Sequence, residues 1–74
     1  MKLLEKLTNI IEAILFASGK SVPLEDIAEK LGVTMGEVRK SLAELKQRYN
    51  EESGIQLLEF NKKAQLASNP LYKD

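Results

Sequence analysis

The segment from Leu24 to Leu45, LEDIAEKLGVTMGEVRKSLAEL, carries two short amphipathic patterns separated by a tight turn. This arrangement predicts a helix-turn-helix. Gly32 stands where the chain must leave the first helix, and Val33 fills the corner. Ala28 is the small side chain that a close crossing of the two helices requires.

The second helix of this motif has a clear start signal. Thr34 and Glu37 have the spacing of a capping box, in which each side chain bonds to the other residue's backbone N–H. The helix is predicted from Met35 to about Tyr49 or Asn50, with one apolar stripe and charged outer faces. The stripe comprises Met35, Val38, Leu42, Leu45 and Tyr49.

An earlier helix is predicted from about Lys2 to Ala17. Its apolar residues fill an arc of roughly 140°, wider than the stripe of about 100° that one small core needs. Phe16 falls outside this arc, near Glu5, Asn9 and Glu12. Two interpretations stay open, a well-buried central helix and a helix that also packs on a second protein.

The remainder of the chain predicts a β-hairpin. Val22-Pro23 is interpreted as a short extended link, because the residue before proline favours that geometry. Residues 55–60, IQLLEF, and 64–68, AQLAS, are predicted strands joined by a polar turn at Asn61, Lys62 and Lys63. Three helices followed by this hairpin predict a mainly α fold, a winged helix-turn-helix, in a single domain over residues 1–74.

The first predicted strand has apolar side chains on both faces. Ile55 and Leu57 share one face, whereas Leu58 and Phe60 point to the other. Only one face can cover the helices, so Leu58 and Phe60 are a candidate exposed pair. The alternatives are that the terminal Leu71 and Tyr72 fold back over the pair, or that a partner covers it. A second copy of the chain is the simplest partner.

Composition excludes several functions. The 74 residues contain 11 basic and 11 acidic side chains, with no histidine and no cysteine. The usual catalytic bases, thiolate nucleophiles and transition-metal ligands are therefore missing, and we expect no enzymatic activity and no cofactor. The N-terminal segment is too charged for a signal peptide or a membrane span.

The charges also disfavour direct DNA binding. Arg39 and Lys40 on the second motif helix, with Lys62 and Lys63 at the wing tip, are the available phosphate contacts. Glu37 and Glu44 lie on the same helix and would repel the polyanion. The first turn of this helix also has no Asn, Gln or aromatic side chain that could read bases. A DNA-binding winged helix of a small transcription regulator remains the alternative.

Residues 11–49, IEAILFASGKSVPLEDIAEKLGVTMGEVRKSLAELKQRY, followed by 53–70, SGIQLLEFNKKAQLASNP, resemble the N-terminal winged-helix domain of the segregation and condensation protein B family. The most specific pieces are IEAILFASG and LEDIAEKL. Lys63-Ala64 stand where members commonly have a Gly-aromatic pair. Members also carry a second winged-helix domain, so the resemblance implies an N-terminal fragment of a longer two-domain protein.

The resemblance further implies a non-enzymatic regulatory subunit of the bacterial structural-maintenance-of-chromosomes (SMC) complex. Such a subunit forms a homodimer and binds the kleisin subunit, segregation and condensation protein A, through which it meets the SMC ATPase. It acts in chromosome condensation and partition, in the cytoplasm at the nucleoid.

Two sets of residues are predicted to make these contacts. Self-association is assigned to exposed apolar side chains, namely Leu3, Leu7, Ile10, Phe16, Leu58 and Phe60. Kleisin contact is assigned to the mixed face of the third helix, namely Arg39, Lys40, Glu44 and Gln47. The salt dependence of binding distinguishes a protein-interaction module from a DNA-binding domain. Affinity that rests on phosphate contacts falls steeply as the salt concentration rises, whereas the affinity of an apolar dimer does not.

Overall fold

Three helices pack on one face of a small antiparallel sheet in the computed structural model, which describes residues 3–72. The helices are α1 (Leu3–Ser18), α2 (Leu24–Leu31) and α3 (Met35–Arg48), and the strands are β1 (Val22–Pro23), β2 (Ile55–Phe60) and β3 (Lys63–Ser68). A 3₁₀ turn at Pro70–Tyr72 follows. The predicted winged helix-turn-helix is confirmed.

The helix-turn-helix forms as the sequence predicts. Gly32 adopts a left-handed conformation with φ of 67°, and the Val33 amide donates to the Ala28 carbonyl at 3.0 Å. Ala28 is buried. The Glu37 amide donates to Thr34 Oγ1 at 3.1 Å, and the Thr34 amide donates to Glu37 Oε1 at 3.0 Å. The capping box is therefore complete.

The core lies between the helices and the inner face of the sheet. The three helices and β3 supply its fully buried apolar side chains, and β2 adds the buried Leu57; the fully buried set is Ile11, Leu15, Leu24, Ile27, Val38, Leu42, Leu45 and Ala64. Met35 and Tyr49, predicted in the buried stripe, are only partly buried at the two ends of α3. Tyr49 caps the C-terminus of that helix.

The ends of α1 differ slightly from the prediction. The helix ends at Ser18, one residue later than predicted, and Gly19 with a φ of 66° follows it. Lys2, where the predicted helix began, lies outside the described residues. Among residues 3–72, no helix is long and apolar enough to cross a membrane.

Val22-Pro23 is extended, as predicted, but it also pairs with β3, so the sheet has three strands in the order β1-β3-β2 rather than the two strands of the predicted hairpin. Val22 pairs with Ala64 and Pro23 with Lys63. Proline is tolerated because β1 is an edge strand that needs no further N–H donor at that position. The Leu24 amide then donates to the Lys62 carbonyl at 2.9 Å, which fixes the start of α2 beside the wing.

The wing turn is also tighter than predicted. Asn61 and Lys62 both have positive φ, 47° and 59°, and Phe60 pairs directly with Lys63. This geometry is a two-residue type I′ turn, whose twist matches that of the flanking strands. Lys63 was assigned to the turn but is the first residue of β3.

Asn69 secures the end of the chain. Its side chain is buried, and its Nδ2 donates to the carbonyls of Glu51 and Ser53 at 2.9 and 2.7 Å. Its Oδ1 accepts from the Leu71 amide at 2.9 Å. The 3₁₀ turn at Pro70–Tyr72 follows directly from this anchor; Lys73 and Asp74 lie outside the described residues.

Candidate protein-interaction surfaces

The outward face of α1 carries an apolar surface, here called the α1 surface, made of Ile10, Ala13, Phe16 and Ala17. All four side chains are exposed, and Phe16 is 75% accessible. Helical periodicity explains this exposure, because the buried residues Ile11 and Leu15 lie on the opposite side of the helix and face the core. The wide apolar arc predicted for this helix is thus divided between the core and solvent.

The other α1 residues predicted for self-association lie beside this surface. Leu3 is 85% accessible near the N-terminal end of the helix. Leu7 is half-buried against the core. With Leu4, they border a smaller depression of about 180 Å³ that also includes Glu37 and Lys40 of α3.

A groove of about 680 Å³ runs along one side of the α1 surface, between α1 and α2. Its walls are mainly apolar, with Asp26 and Lys30 at the α2 rim. The apolar lining consists of Ile10, Ala13, Ile14, Ala17, Val22 and Ile27. Alanines at two of these positions leave the space that larger side chains would fill.

A second groove of about 420 Å³ lies on the other side of α1, toward the sheet. Ala13 borders both grooves. Phe16 lines the second groove together with Tyr49, Ile55 and Leu66. Phe16 is on the same side of α1 as Asn9 and Glu12, as predicted, and all three line this groove.

Glu12 links α1 to the end of α3 within this second groove. Its Oε1 accepts from Arg48 Nη1 at 3.1 Å, and its Oε2 accepts from the Tyr49 hydroxyl. Burial, followed by the hydrogen bond to Glu12 and the negative charge of Glu12, raises the pKa of Tyr49 to about 12, against the smaller opposing effect of Arg48. No sequence pattern predicted this cluster.

Leu58 and Phe60 form a second apolar surface, here called the wing surface. They are 43% and 48% accessible, and Leu71 and Tyr72 do not cover them, being 72% and 60% accessible themselves. Their cross-strand partners are Gln65 and Lys63. The predicted exposure of the pair is confirmed.

The two apolar surfaces lie on opposite sides of the sheet. Leu57 is buried against the helices, and Ile55, on the same strand face, lines the groove beside Phe16. Because side chains alternate along a strand, Leu58 and Phe60 point away from the helices. The six residues predicted for self-association therefore do not form one continuous surface.

The polar residues predicted for kleisin contact all lie on α3. Arg39, Lys40 and Gln47 are exposed, and Glu44 is half-buried. At 100° per residue, Lys40, Glu44 and Gln47 share one face of the helix, whereas Arg39 lies to its side. This face, here called the α3 surface, is charged and carries no large apolar side chain.

The same helix is a poor fit to DNA. Glu37, at its N-terminal end, is held in place by the capping box. Its carboxylate therefore stays where a recognition helix would meet the groove of a duplex. The wing-tip lysines, Lys62 and Lys63, are exposed.

Comparison with known proteins is consistent across sequence and structure. Residues 9–74 match the family described as segregation and condensation complex subunit ScpB. Among curated relatives, the chain is 43% identical over 65 residues to segregation and condensation protein B of Caldanaerobacter subterraneus subsp. tengcongensis. It is 36% identical over 73 residues to the same protein of Acetivibrio thermocellus.

A solved structure gives the same result for the fold. The chain is similar, with a TM-score of 0.85 and 36% identity, to a crystal structure of a dimer of the ScpB N-terminal domain complexed with a ScpA peptide. The match covers 96% of this chain and 90% of that one. By contrast, the chain spans only 39% and 37% of the two curated relatives, matching 86% and 96% of its own length.

Proposed function

Because the chain belongs to the segregation and condensation complex subunit ScpB family, we propose that it is a non-enzymatic regulatory module of a bacterial SMC complex. In this role it forms a homodimer and binds the kleisin, segregation and condensation protein A, during chromosome condensation and partition. It meets the SMC ATPase through the kleisin, and it resides in the cytoplasm at the nucleoid. A second winged-helix domain completes the longer protein.

One observation carries this proposal. The solved structure that this chain matches over 96% of its length is a dimer of the corresponding domain with a ScpA peptide bound. At 36% identity and a TM-score of 0.85, the backbone that supports both contacts is shared. This chain has an exposed apolar surface that could support self-association and a surface of mixed charge that could bind a peptide.

Self-association is assigned to the exposed apolar residues of α1. A two-fold interface is one self-complementary patch. Leu3, Leu7, Ile10 and Phe16 lie on or beside the α1 surface, whereas Leu58 and Phe60 face away on the other side of the sheet. The wing surface is therefore left for a separate contact.

Kleisin contact is assigned to the α3 surface with the flanking Arg39. Two cations and one carboxylate give this region a mixed charge that suits a segment with both acidic and polar side chains. Lys40 also borders the depression beneath Leu3 and Leu7. The α3 surface thus adjoins apolar space in which a kleisin side chain can be buried.

Fluorescence anisotropy with labelled peptides tests the kleisin assignment. Overlapping peptides that cover the kleisin of the same organism are titrated with the 74-residue chain. We expect one segment to bind, and Lys40→Glu to weaken its binding about tenfold, equivalent to about 1.4 kcal/mol. Lys63→Glu is the matched control on the wing, and we expect it to leave binding unchanged.

Two results would contradict the proposal. If no kleisin peptide binds, the partner is wrong; if the two lysine variants behave alike, the α3 surface is wrong. A parallel titration with duplex DNA addresses the alternative function. DNA binding that is abolished by Lys40→Glu and weakens steeply with salt would replace the proposed function with that of a transcription regulator.

A further inference from the structure

We propose that the free edge of β2, together with the wing surface beside it, binds an extended acidic segment of another protein, which joins the sheet as an added strand. This contact uses different elements from the homodimer and kleisin contacts, which are assigned to α1 and α3. Three observations carry it, namely the unpaired edge of β2, the exposed apolar pair Leu58 and Phe60, and the lysines at the wing tip.

β2 is an edge strand, and its pairing shows which of its backbone groups are free. Within the described residues its one neighbour is β3. At the wing tip, a type I′ turn joins the carbonyl of Phe60 to the amide of Lys63. At the other end of the hairpin, the Asn69 amide donates to the Gly54 carbonyl at 2.8 Å. Bonded and non-bonded pairs alternate along an antiparallel ladder, so residues 56, 58 and 60 are the ones that bond to β3.

The alternate residues of β2, Ile55, Leu57 and Glu59, therefore direct their backbone N–H and C=O groups toward the free edge. Proteins usually protect such an edge with a proline, a bulge, lysines or a very short strand. β1, at the opposite edge of the sheet, has two residues and contains Pro23. β2 has six residues in unbroken register with β3, and its one charged side chain is Glu59. An edge without these protections can accept another strand.

The outward face of the sheet offers apolar contacts to that strand. Leu58 and Phe60 are exposed there, and their partners on β3 are Gln65 and Lys63. Neighbouring strands lie about 4.8 Å apart, so the outward side chains of an added strand would lie directly beside this apolar pair. Apolar cross-strand pairs stabilise a sheet. The occupant therefore needs apolar side chains at alternate positions.

The charges of the same face favour an acidic occupant. The outward side chains of β2 and β3 include no carboxylate, and they are Gln56, Leu58, Phe60, Lys63, Gln65 and Ala67. Lys62 lies in the turn at the end where Lys63 begins β3. Glu59 points to the other side of the sheet, because it is paired with the buried Ala64. Carboxylates of the occupant are therefore best placed at the wing tip.

The direction of the added strand follows from the direction of β2. Antiparallel pairs outnumber parallel ones, and β2 runs toward the wing tip. An antiparallel strand on its free edge therefore begins at the tip, beside Lys62 and Lys63, and runs away from it. The segment that fits has acidic residues at its N-terminal end, followed by apolar residues at every second position.

NMR spectra of the isotope-labelled chain test this contact. The probe is the acetylated and amidated peptide EEVTVTVT, which has the expected order of acidic and apolar residues. We expect it to cause saturable shifts of the backbone amides of Ile55, Leu57 and Glu59 and to protect them from hydrogen exchange. The charge-reversed peptide KKVTVTVT is the matched control, and we expect it to bind about tenfold more weakly.

Backbone methylation of the peptide distinguishes strand addition from simple contact with the face of the sheet. When the valines lie opposite Phe60 and Leu58, the threonines lie opposite Glu59 and Leu57 and share hydrogen bonds with β2. N-methylation of the threonine amides should therefore abolish binding. N-methylation of the valine amides changes only the other edge of the peptide and should leave binding intact.

Two variants of the chain test the wing surface. Phe60→Glu removes an apolar side chain and adds a charge that repels the probe, so we expect it to weaken binding about tenfold. Leu71→Glu is the matched control, because Leu71 is also an exposed apolar residue but lies outside the sheet. We expect this variant to bind the probe as the unmodified chain does. Circular dichroism checks that both variants are folded.

Several results would overturn the proposal. These are a lack of saturable shifts in residues 55–60, equal binding of the acidic and basic peptides, and undiminished binding of the threonine-methylated peptide. Duplex DNA that shifts these amides where the peptide does not would assign the wing to nucleic acid instead. A kleisin peptide that displaces the probe would show that the wing is not a separate contact. The homodimer and the kleisin titration are measured independently, so an inactive probe leaves the proposed function standing.

Discussion

At the scale of single residues, Glu12 connects parts of the chain that are far apart in sequence. It accepts hydrogen bonds from Arg48 and Tyr49, which are 36 and 37 residues away. Glu12, Arg48 and Tyr49 fix the C-terminal end of α3 against α1. Sequence periodicity could not predict this link, because spacing along one helix carries no information on which polar side chain of another helix will meet it.

Because the pKa of Tyr49 is raised in the folded chain, the free energy of unfolding should depend on pH in the alkaline range. With a pKa near 10 in the unfolded chain and about 12 in the folded one, the folded state holds the proton more tightly. The stabilisation is fully present below pH 10 and is lost as pH rises toward 12, because only the unfolded state releases its proton in that window.

Between pH 10 and pH 12 we therefore expect the Tyr49→Phe variant to lose less stability than the unmodified chain loses. Urea unfolding at a series of alkaline pH values measures the effect. Tyr72→Phe is the control, because it retains Tyr49 and should keep the full alkaline loss. Equal pH dependence for Tyr49→Phe and the unmodified chain would disprove the role of this hydroxyl.

Asn69 is the second residue whose importance is visible only in the structure. Its amide group makes three side-chain hydrogen bonds and is 5% accessible. Each such bond contributes about 0.5 to 1.5 kcal/mol, and a buried polar group left without a partner costs more. We expect Asn69→Ala to lower the free energy of unfolding by about 2 to 3 kcal/mol.

Asn69→Asp gives a sharper comparison. A carboxylate cannot donate to the carbonyls of Glu51 and Ser53, so this variant should be at least as unstable as Asn69→Ala at neutral pH. Protonation in acid restores one donor and should recover part of the stability relative to the alanine variant. Urea denaturation that found both variants within about 0.5 kcal/mol of the unmodified chain would contradict the assigned role.

At the scale of secondary-structure elements, the sequence was sufficient wherever local chemistry sets the conformation. The end of the first motif helix at Gly32, the capping box at Thr34 and the strands of the hairpin were each predicted and found. The pairing of Val22-Pro23 as a two-residue strand was missed because its only cause is contact with Ala64 and Lys63, which lie 42 and 40 positions later in the chain. A strand this short has no periodicity of its own.

The start of α3 can be tested independently of the rest of the fold. Thr34→Ala removes the acceptor for the Glu37 amide and should cost about 1 kcal/mol of stability. Thr34→Ser retains the hydroxyl, and serine is at least as good an N-cap as threonine, so this variant should be as stable as the unmodified chain. The measurement is thermal or urea unfolding, and a Thr34→Ala variant as stable as Thr34→Ser would show that the capping bond contributes nothing.

At the scale of the whole molecule, the sheet separates the α1 surface from the wing surface. Residues from both had been predicted to take part in one self-association contact. The sequence correctly predicted that Phe16, Leu58 and Phe60 would be exposed. The sequence pattern could not show that Phe16, on α1, lies on one side of the sheet, whereas Leu58 and Phe60 of β2 point to the opposite side. One small domain therefore has room for a homodimer contact on α1 and for other contacts on α3 and the wing.

The overall charge supports protein contact rather than nucleic-acid binding. The chain carries equal numbers of acidic and basic residues, 11 of each, so no net positive field concentrates DNA around it. An apolar interface depends little on ionic strength, whereas each phosphate contact adds to the salt dependence of binding. Association measured at two salt concentrations therefore distinguishes the two functions at the level of the intact chain.

Sedimentation equilibrium of the 74-residue chain, over a dilution series at low and at high salt, is the most direct test that it is a self-associating interaction module. We predict a mass of twice the 8.3 kDa of the single chain, with no loss of dimer at high salt. A mass of 8.3 kDa at every concentration and both salt levels would contradict this conclusion.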